Sequence, residues 1–280
     1  MKILLTNNTL QNLAGSETWV KTMFESLESL GHQVGACVAS GEDLLIGKTV
    51  ENPDLAIINH NSCLNILKNL PCKKIFTSHG VIPDLEQPVE GADIYVSVSE
   101  EVQENLKNKG FESIIIRNPI DCEKFKSTRP INDKIKKVLF SSNYQGYAKN
   151  VIIQTCQELG IELEIIGGNN RVVNIVDKIN EADLVIGLGR TAYEAMACER
   201  NVIIFDYNGA DGMATPETLI EFRKNNCSGR RYRKQFTVED LKNEFSKYSV
   251  ENGKRLREYI LENNNSKKIV KQYLELYGIQ

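Results

Sequence analysis

Short apolar runs, separated by polar segments of helical length, recur along the first half of the chain. They lie at residues 3–5, 34–38, 55–59, 75–77, 94–98 and 113–116. This alternation is typical of a parallel sheet whose strands are joined by crossover helices. The pattern therefore predicts a doubly wound α/β domain.

A second series of the same kind follows, with apolar runs at residues 138–140, 163–166, 184–186 and 202–205. The two series predict two similar Rossmann-like domains, over residues 1–118 and 119–265. Residues 208–215 are small or polar and predict a long loop. Residues 266–280 place apolar side chains on one helical face, which predicts a C-terminal helix that docks on one of the domains.

Composition narrows the class of protein. The chain has 280 residues, of which 41% are hydrophobic, enough for two cores of medium size. A net charge of −3 argues against a protein that coats nucleic acid, so no nucleic-acid partner is predicted. Seven cysteines without a Cys-x-x-Cys pair indicate neither a disulfide framework nor a zinc ribbon. Because no apolar run approaches the roughly 20 residues of a membrane span, we expect a soluble, cytoplasmic protein.

The most informative local pattern is a strand, a two-glycine turn and a helix near residue 187. Gly187 and Gly189 allow the backbone to approach a ligand closely. The amides of Arg190 and Thr191 then open a helix, whose positive end suits a diphosphate, and Glu194 follows one turn later. The alternative interpretation is a tight turn followed by a solvated glutamate.

A basic cluster at residues 223–234 leaves two interpretations open. It could receive an acidic acceptor or a nucleotide phosphate, or it could be a solvated loop.

Several motifs, taken in order, resemble the retaining glycosyltransferases of family 4, which have the two-domain GT-B architecture. In the first half these are Ala14-Gly-Ser-Glu, Gly31-His-Gln-Val, Thr77-Ser-His-Gly and Asn118-Pro-Ile-Asp. In the second half, Glu194-Ala-Met-Ala resembles a segment of the family's donor-binding helix. The resemblance covers most of the chain and implies two Rossmann-like domains facing a central cleft.

The resemblance implies transfer of a sugar from a nucleotide-sugar on the second domain to an acceptor on the first. Glu194 corresponds to the ribose-binding glutamate, and Lys149 to the lysine that neutralises the donor diphosphate. Gly15 would approach the diphosphate from the first domain, and His79 would lie beside the transferred sugar. On this basis His79, Lys149 and Glu194 are the predicted catalytic residues. The predicted donor-binding residues are Gly15, Asn143, Gly187, Gly189, Arg190, Thr191 and Glu194.

The sequence also departs from the family pattern. Ile186 stands where the family has the first of two glutamates, and residues 141–144 replace its arginine. Like the family, the chain is expected to be a retaining, metal-independent hexosyltransferase without a cofactor, for a glycan, a lipid-linked or another hydroxyl acceptor. This activity suits the synthesis of cell-surface polysaccharide or glycoconjugate. Weak contact with the inner face of a membrane and the oligomeric state stay open.

Two other functions fit the same residues. One is a nucleotide-sugar hydrolase or epimerase on the same scaffold, since a fold does not fix a function. The other is a nonenzymatic nucleotide-sugar-binding subunit, because two of the usual donor contacts are lost.

Overall fold

The computed structural model describes residues 1–10, 15–39, 50–144, 146–168, 170, 172 and 174–278. The chain divides into two compact units, which are described separately. The first unit is Met1–Asp121 together with Asn264–Gln280, and the second is Cys122–Asn263. The sequence placed its boundaries after residues 118 and 265, and the roles assigned to the two domains stay predictions.

The first unit contains a parallel sheet with six strands among the described residues, in the order β2-β1-β3-β4-β5-β6. Its strands are β1 (Lys2–Asn7), β2 (Gln33–Val38), β3 (Leu55–Asn59), β4 (Lys73–Ser78), β5 (Ile94–Ser97) and β6 (Ile114–Ile115). The chain leaves β1 toward β2 on one side and then returns to place β3 on the other side. The point of reversal lies between β1 and β3, where open α/β sheets bind ligands at the carboxyl ends of their strands.

Four helices belong to this unit within the described ranges. They are α1 (Gly15–Ser29), α2 (Asn61–Leu67), α3 (Glu100–Asn108) and α10 (Ser266–Tyr277). The C-terminal helix α10 packs against α1, where the ring of Tyr273 meets the edge of Trp19 at 5.9 Å. The Tyr273 hydroxyl also lies 3.1 Å from Thr77 Oγ1 at the end of β4. The sequence predicts this C-terminal helix but not the domain on which it docks. The structure places it in the core of the first unit.

The second unit contains five strands in its described part, in the order β11-β10-β9-β7-β8. They are β7 (Lys137–Ser141), β8 (Glu162–Ile166), β9 (Leu184–Gly187), β10 (Asn201–Asp206) and β11 (Gly209–Met213). The strands β7, β8, β9 and β10 are parallel to one another, and β11 is antiparallel to β10. The chain order reverses between β7 and β9. The prediction of an α/β chain with two doubly wound sheets is confirmed.

The strand β11 corrects the prediction of a loop over residues 208–215. All five residues of β11 are buried, although two are glycines and one is Asp211. The polar and small residues of this segment predict a loop, but the strand is buried through close packing of its backbone rather than through apolar side chains. A Cβ on Gly209 would stand 2.9 Å from the Arg233 backbone, so only glycine allows this approach. Asp211 Oδ1 accepts the Tyr232 amide at 2.8 Å, which pairs the buried carboxylate.

Within the described ranges the second unit has six helices. They are α4 (Tyr147–Leu159), α5 (Ile175–Glu181), α6 (Gly189–Ala197), α7 (Pro216–Phe222), α8 (Val238–Phe245) and α9 (Val250–Asn263). The helix α6 is buried between the sheet and α9, with Ala192, Ala195 and Met196 inaccessible to solvent. No helix in the described part of either unit is both long and apolar enough to cross a membrane.

Candidate donor and acceptor sites

The two-glycine turn lies at the carboxyl end of β9, beside the point where the chain order of the second sheet reverses. A Cβ on Gly187 would stand 3.3 Å from the Ser141 carbonyl oxygen of the neighbouring strand β7. Gly189 has a φ of +53°, in the left-handed region that glycine adopts without strain. Glycine therefore relieves crowding at Gly187 and backbone strain at Gly189, along the path that joins β9 to α6.

The first amide of α6 is already engaged. Gly189 N donates to the carbonyl oxygen of Cys227 at 2.8 Å. Asn226 and Cys227 reach this position with φ values of +53° and +50°, which non-glycine residues seldom adopt. A ligand at the helix N-terminus would therefore meet the amides of Arg190 and Thr191 rather than that of Gly189. No pattern in the sequence marks this contact.

Two of the predicted donor residues bind each other. Arg190 Nε donates to Glu194 Oε1 at 2.7 Å, one turn along α6. Their side chains are 13% and 5% exposed, so this ion pair is mostly shielded from water. Burial raises the pKa of Glu194, and the positive charges of Arg190 and Lys124 oppose that rise. The interpretation of Glu194 as a solvated residue is wrong. Lys124, which the sequence did not single out, adds positive charge to this site.

The β7 side of the same sheet edge carries two further predicted residues, Asn143 and Lys149. Asn143 follows β7 and accepts the Gly168 amide on its Oδ1 at 3.0 Å, which joins the loop after β7 to the loop after β8. Lys149 is the third residue of α4, the helix that follows β7. Ser142 Oγ donates to Asp206 Oδ2 at 2.6 Å and ties the end of β7 to the end of β10.

A pair of tyrosines lies beside these strand ends, and no pattern in the sequence predicts it. The rings of Tyr144 and Tyr207 lie 3.9 Å apart, and each residue is about half exposed. Because β9 lies between β7 and β10 in the sheet, the two loops meet over the end of β9. Exposed aromatic faces in this position could stack on a base or a sugar ring.

His79 lies at the carboxyl edge of the first sheet, directly after β4. Its Nε2 is 3.0 Å from Asn59 Oδ1 at the end of β3, and its ring meets the edge of Trp19 at 5.2 Å. Gly15 is the first residue of α1, and a Cβ there would meet no atom of the described residues within 4 Å. Packing against the described part of the chain therefore does not require glycine at Gly15. Ala14 of the same motif lies outside the described residues.

A second histidine lies where the first sheet reverses its chain order. His60 Nδ1 accepts the Asn8 amide at 3.0 Å, so it joins the end of β3 to the end of β1. Burial lowers the pKa of His60 to about 4. Its φ of +68° marks a strained backbone, held in place by this contact.

Two carboxylates complete this edge of the first unit. Glu86 ends a short 3₁₀ turn, Asp84–Glu86, and its carboxylate accepts the backbone amide of His79. Burial, and the charge of Glu17 at the start of α1, raise the pKa of Glu86 to about 7. The sequence did not mark Glu86, because an isolated glutamate in a loop looks like a solvated residue, whereas Glu17 belongs to the Ala14-Gly-Ser-Glu motif.

The basic cluster at residues 223–234 is partly neutralised within its own unit. Lys224 and Arg231 both pair with Glu221, and Arg223 donates to the Tyr259 hydroxyl. Its segment at Cys227 also supplies the carbonyl that contacts Gly189. The cluster therefore contacts the candidate donor site through its backbone.

The predicted residues thus fall into two groups. Gly187, Gly189, Arg190, Thr191 and Glu194 form one continuous site in the second unit, with Asn143 and Lys149 at the same sheet edge. His79 and Gly15 belong to the first unit. The described residues contain no group of three or more His, Cys, Asp or Glu side chains able to hold a metal ion, and metal independence stays a prediction.

The two units and their strand orders define a GT-B fold, and solved structures match it over the whole chain. An alpha-glucosyltransferase in complex with UDP and a 13-mer DNA containing an HMU base is 13% identical, with 100% of both chains covered and a TM-score of 0.65. AviGT4, a glycosyltransferase involved in avilamycin A biosynthesis, is 16% identical, with 99% of this chain and 97% of that one covered and a TM-score of 0.60.

A further solved structure has the same fold. A putative UDP-N-acetylglucosamine 2-epimerase from Listeria monocytogenes is 12% identical, with 98% of this chain and 94% of that one covered and a TM-score of 0.56. No protein-family model and no curated protein matches the sequence. At these identities the structures establish the fold.

One prediction from composition is corrected by these structures. The net charge of −3 predicts no nucleic-acid partner, yet several matching structures are complexes of an alpha-glucosyltransferase with DNA. The inference failed because net charge averages over the whole surface, whereas nucleic acid is bound by a local patch.

Proposed function

We propose that this protein is a glycosyltransferase that moves a sugar from a UDP-sugar to an acceptor hydroxyl. The observation that carries the proposal is the carboxyl edge of the second sheet, where the Gly187–Gly189 turn and the Arg190–Glu194 pair lie beside the loop after β7. UDP is the bound nucleotide in the alpha-glucosyltransferase complexes of the same fold, which supports the choice of nucleotide.

In this proposal each residue of the second unit has a defined role. Lys149 and Arg190 neutralise the diphosphate, whose negative charge grows as the bond to the sugar breaks. Arg190 binds Glu194 through Nε, and a planar guanidinium is the group that best matches the oxygens of a diphosphate. Glu194 accepts hydrogen bonds from the ribose hydroxyls. We propose that the reaction retains the configuration of the sugar and needs no metal ion or cofactor.

His79 is the proposed sugar-binding residue of the first unit, held by Asn59 and Trp19. For the acceptor we propose a hydroxyl of a glycan, of a lipid-linked molecule or of a modified base in DNA, the last because DNA containing an HMU base is bound by a protein of this fold. None of the seven cysteines, all of which the structure describes, forms a disulfide, which suits a cytoplasmic location.

Epimerisation of a nucleotide-sugar is the second candidate. The fold shared with a putative UDP-N-acetylglucosamine 2-epimerase favours it, as does Ile186 in the place of a donor-binding glutamate. An epimerase changes the sugar of its substrate without any acceptor, whereas a transferase joins the sugar to an acceptor.

The test is a screen of purified protein with UDP-glucose, UDP-N-acetylglucosamine, GDP-mannose and dTDP-glucose. Each is incubated alone and with maltose, octyl glucoside or a 13-mer DNA containing an HMU base, and the products are identified by mass spectrometry and NMR. Acceptor-dependent UDP release and a glycosylated product support the transferase. A changed sugar without acceptor supports the epimerase. Absence of turnover with every donor would contradict both.

A further inference from the structure

A short segment of cationic and aromatic residues lies exposed beside β11 in the second unit. It consists of residues 230–234, Arg-Arg-Tyr-Arg-Lys, and is called the basic segment below. Residues 231–234 are exposed, and Arg230 is partly exposed. The whole chain has a net charge of −3, so the positive charge of this segment is a local feature of the surface.

The C-terminal end of the basic segment is paired with the neighbouring strand. The Lys234 amide donates to the Ala210 carbonyl oxygen at 3.0 Å, and the Ala210 amide donates to the Lys234 carbonyl oxygen at 2.9 Å. A Cβ on Gly209 would stand 2.9 Å from the backbone of Arg233. The basic segment is therefore held closely against β11.

A buried carboxylate holds the middle of the basic segment. Asp211 Oδ1 accepts the Tyr232 amide at 2.8 Å. Burial raises the pKa of Asp211, and the nearby backbone amides of Tyr232, Gly229, Arg231 and Arg233 oppose that rise. The amides thus lie on the inner side of the segment, while its side chains are exposed to solvent. Because this backbone is already ordered, a ligand that binds the side chains loses little loop entropy.

Little negative charge opposes these cations. Arg231 pairs with Glu221, which it shares with a second cation of the same unit. No ion pair among the described residues engages Arg233 or Lys234. Lys234 lies near Asp240, whose carboxylate already caps the start of α8. The surface therefore complements a ligand with several negative charges.

Tyr232 adds an aromatic face to the basic segment. Its ring packs against the edge of Phe222 at 6.0 Å, yet the residue is 49% exposed. Lys234 Nζ lies 5.6 Å from the centre of the same ring. A fixed and accessible ring among cations suits single-stranded nucleic acid, whose bases stack on aromatic rings while its phosphates bind Lys and Arg.

A membrane surface fits the same residues less well. Peripheral membrane binding commonly uses an amphipathic helix with a large apolar face. Residues 230–234 contain no Leu, Ile, Val, Met or Phe, and they form turns and an isolated bridge rather than a helix. The combination of charge and one aromatic ring therefore favours nucleic acid over lipid.

The basic segment begins next to the candidate donor site. Burial raises the pKa of Tyr207, and the positive charge of Arg230 is among the influences that oppose this rise. Three residues before the segment, the Cys227 carbonyl oxygen accepts the Gly189 amide. A strand bound along the segment would therefore pass beside residues of the same unit that are proposed to hold the donor.

We propose that residues 230–234 bind a single strand of nucleic acid. The phosphates of the strand bind Arg230, Arg233 and Lys234. One of its bases stacks on Tyr232. For a DNA acceptor this surface deepens the proposed function, and that consequence rests on the proposed transferase. Binding itself requires no sugar transfer and lies within one unit, so the two proposals can fail separately.

Four variants test the surface. Arg233→Gln/Lys234→Gln removes two phosphate contacts. Lys134→Gln/Lys136→Gln removes two exposed lysines elsewhere in the same unit and is the matched control. Tyr232→Leu removes the aromatic face but keeps an apolar side chain, and Tyr232→Phe restores the face. Circular dichroism, thermal unfolding and UDP affinity are measured for each variant to verify that the second unit is folded.

The assay is fluorescence anisotropy with a labelled oligo-dT of about 12 nucleotides, in about 50 to 200 mM NaCl. An abasic strand of the same length, a duplex and vesicles containing phosphatidylglycerol are measured beside it. Each phosphate contact to a single strand contributes about −0.7 to the slope of log K against log salt. We therefore expect Arg233→Gln/Lys234→Gln to flatten the slope by about 1.4 and to weaken binding about tenfold at the lowest salt.

The aromatic variants should act differently from the charge variants. We expect Tyr232→Leu to weaken oligo-dT binding about tenfold with an unchanged salt slope, because stacking releases no counterions. Tyr232→Phe should bind like the wild type. On the abasic strand, Tyr232→Leu and the wild type should bind equally.

Several results would overturn the proposal. If the control pair of lysines weakens binding as much as the pair in the basic segment, the position is wrong. If Tyr232→Leu acts equally on the abasic strand, the stacking is wrong, and a duplex bound as tightly as oligo-dT contradicts the choice of a single strand. Absence of oligo-dT binding at the lowest salt sinks the proposal, and binding of the vesicles instead would assign the surface to a membrane.

The proposed transferase is judged by separate measurements, namely UDP binding and acceptor-dependent UDP release. A protein that binds UDP and glycosylates maltose or octyl glucoside, but does not bind oligo-dT, keeps the transferase function and loses this surface. A protein that binds oligo-dT through Arg233, Lys234 and Tyr232 but releases no UDP keeps the surface and loses the transferase.

Discussion

The Arg190–Glu194 pair makes it possible to separate donor binding from folding by mutation. The two charges lie 2.7 Å apart in a mostly buried setting. Removing one partner of such a pair leaves the other charge uncompensated, at a cost of roughly 3–5 kcal/mol. Because Arg190 retains some exposure, we expect Glu194→Ala to lower the free energy of unfolding by about 3 kcal/mol, near the lower end of that range.

The same substitution removes the hydrogen bonds to the donor ribose. Hydrogen bonds to a charged group contribute about 1.5–3 kcal/mol, which corresponds to a loss of roughly 10-fold to 150-fold in UDP affinity. The double variant Arg190→Met/Glu194→Met replaces both charges by apolar side chains of similar length. We expect the double variant to recover most of the lost stability, since a buried pair can often be replaced in this way, but not the UDP affinity.

The assays are urea unfolding and calorimetric titration with UDP. Glu194→Gln keeps the shape of the side chain, and Glu258→Ala, an exposed residue of the same unit, is the control. A folded Glu194→Gln protein that binds UDP within twofold of the wild type would refute the ribose-binding role. A double variant as unstable as Glu194→Ala would refute the account of the uncompensated charge.

Three further predictions concern stability. Gly167→Ala would place a Cβ 2.1 Å from the Ser142 carbonyl oxygen, at a position with a φ of +107°. We therefore expect a clear loss in melting temperature, and an unchanged melting temperature would contradict this geometry. The pKa of His60 falls from 6.5 to about 4 on folding, so the unfolded state binds more protons between these values. Stability should fall as the pH drops from 6.5 to 4, by up to about 3 kcal/mol, and a His60→Gln variant should lose that part of the slope in urea titrations across this range. Tyr273→Phe leaves Thr77 without its buried partner, so unfolding should become easier by about 1–3 kcal/mol, whereas a change below 0.3 kcal/mol would argue against the contact that anchors α10.

Strand positions were predictable from the sequence because most strands here are short, continuous apolar runs. Runs such as residues 55–59 and 202–205 are fully buried, so hydrophobicity marks them directly. The strand β11 was not predictable in this way, because Gly209 allows close backbone approach, Gly212 leaves room for the Glu244 carboxylate, and Asp211 is buried with a partner. Patterns of side-chain hydrophobicity cannot report either property.

The candidate site was predictable in part. The Gly187–Gly189 turn and the position of Glu194 in a helix follow from local sequence, because strand, turn and helix are contiguous there. The Arg190–Glu194 pair could have been anticipated from their four-residue spacing on a helix. By contrast, the hydrogen bond from the Gly189 amide to the Cys227 carbonyl oxygen joins segments that are distant in sequence. The contact of Glu86 with the His79 amide lies in an irregular loop. No periodic signal marks such contacts.

The central claim is that the second unit binds a UDP-sugar at the carboxyl edge of its sheet. The most direct measurement is calorimetric titration of the wild-type protein and of the Gly187→Val variant with UDP, GDP and dTDP. A Val side chain would crowd the Ser141 carbonyl oxygen and the approach to the turn. The account predicts saturable binding of UDP by the wild type, and at least tenfold weaker binding by a variant whose folding is verified by circular dichroism. Equal binding by both proteins would contradict the position of the site, and no binding of any nucleotide by the wild type would contradict the claim itself.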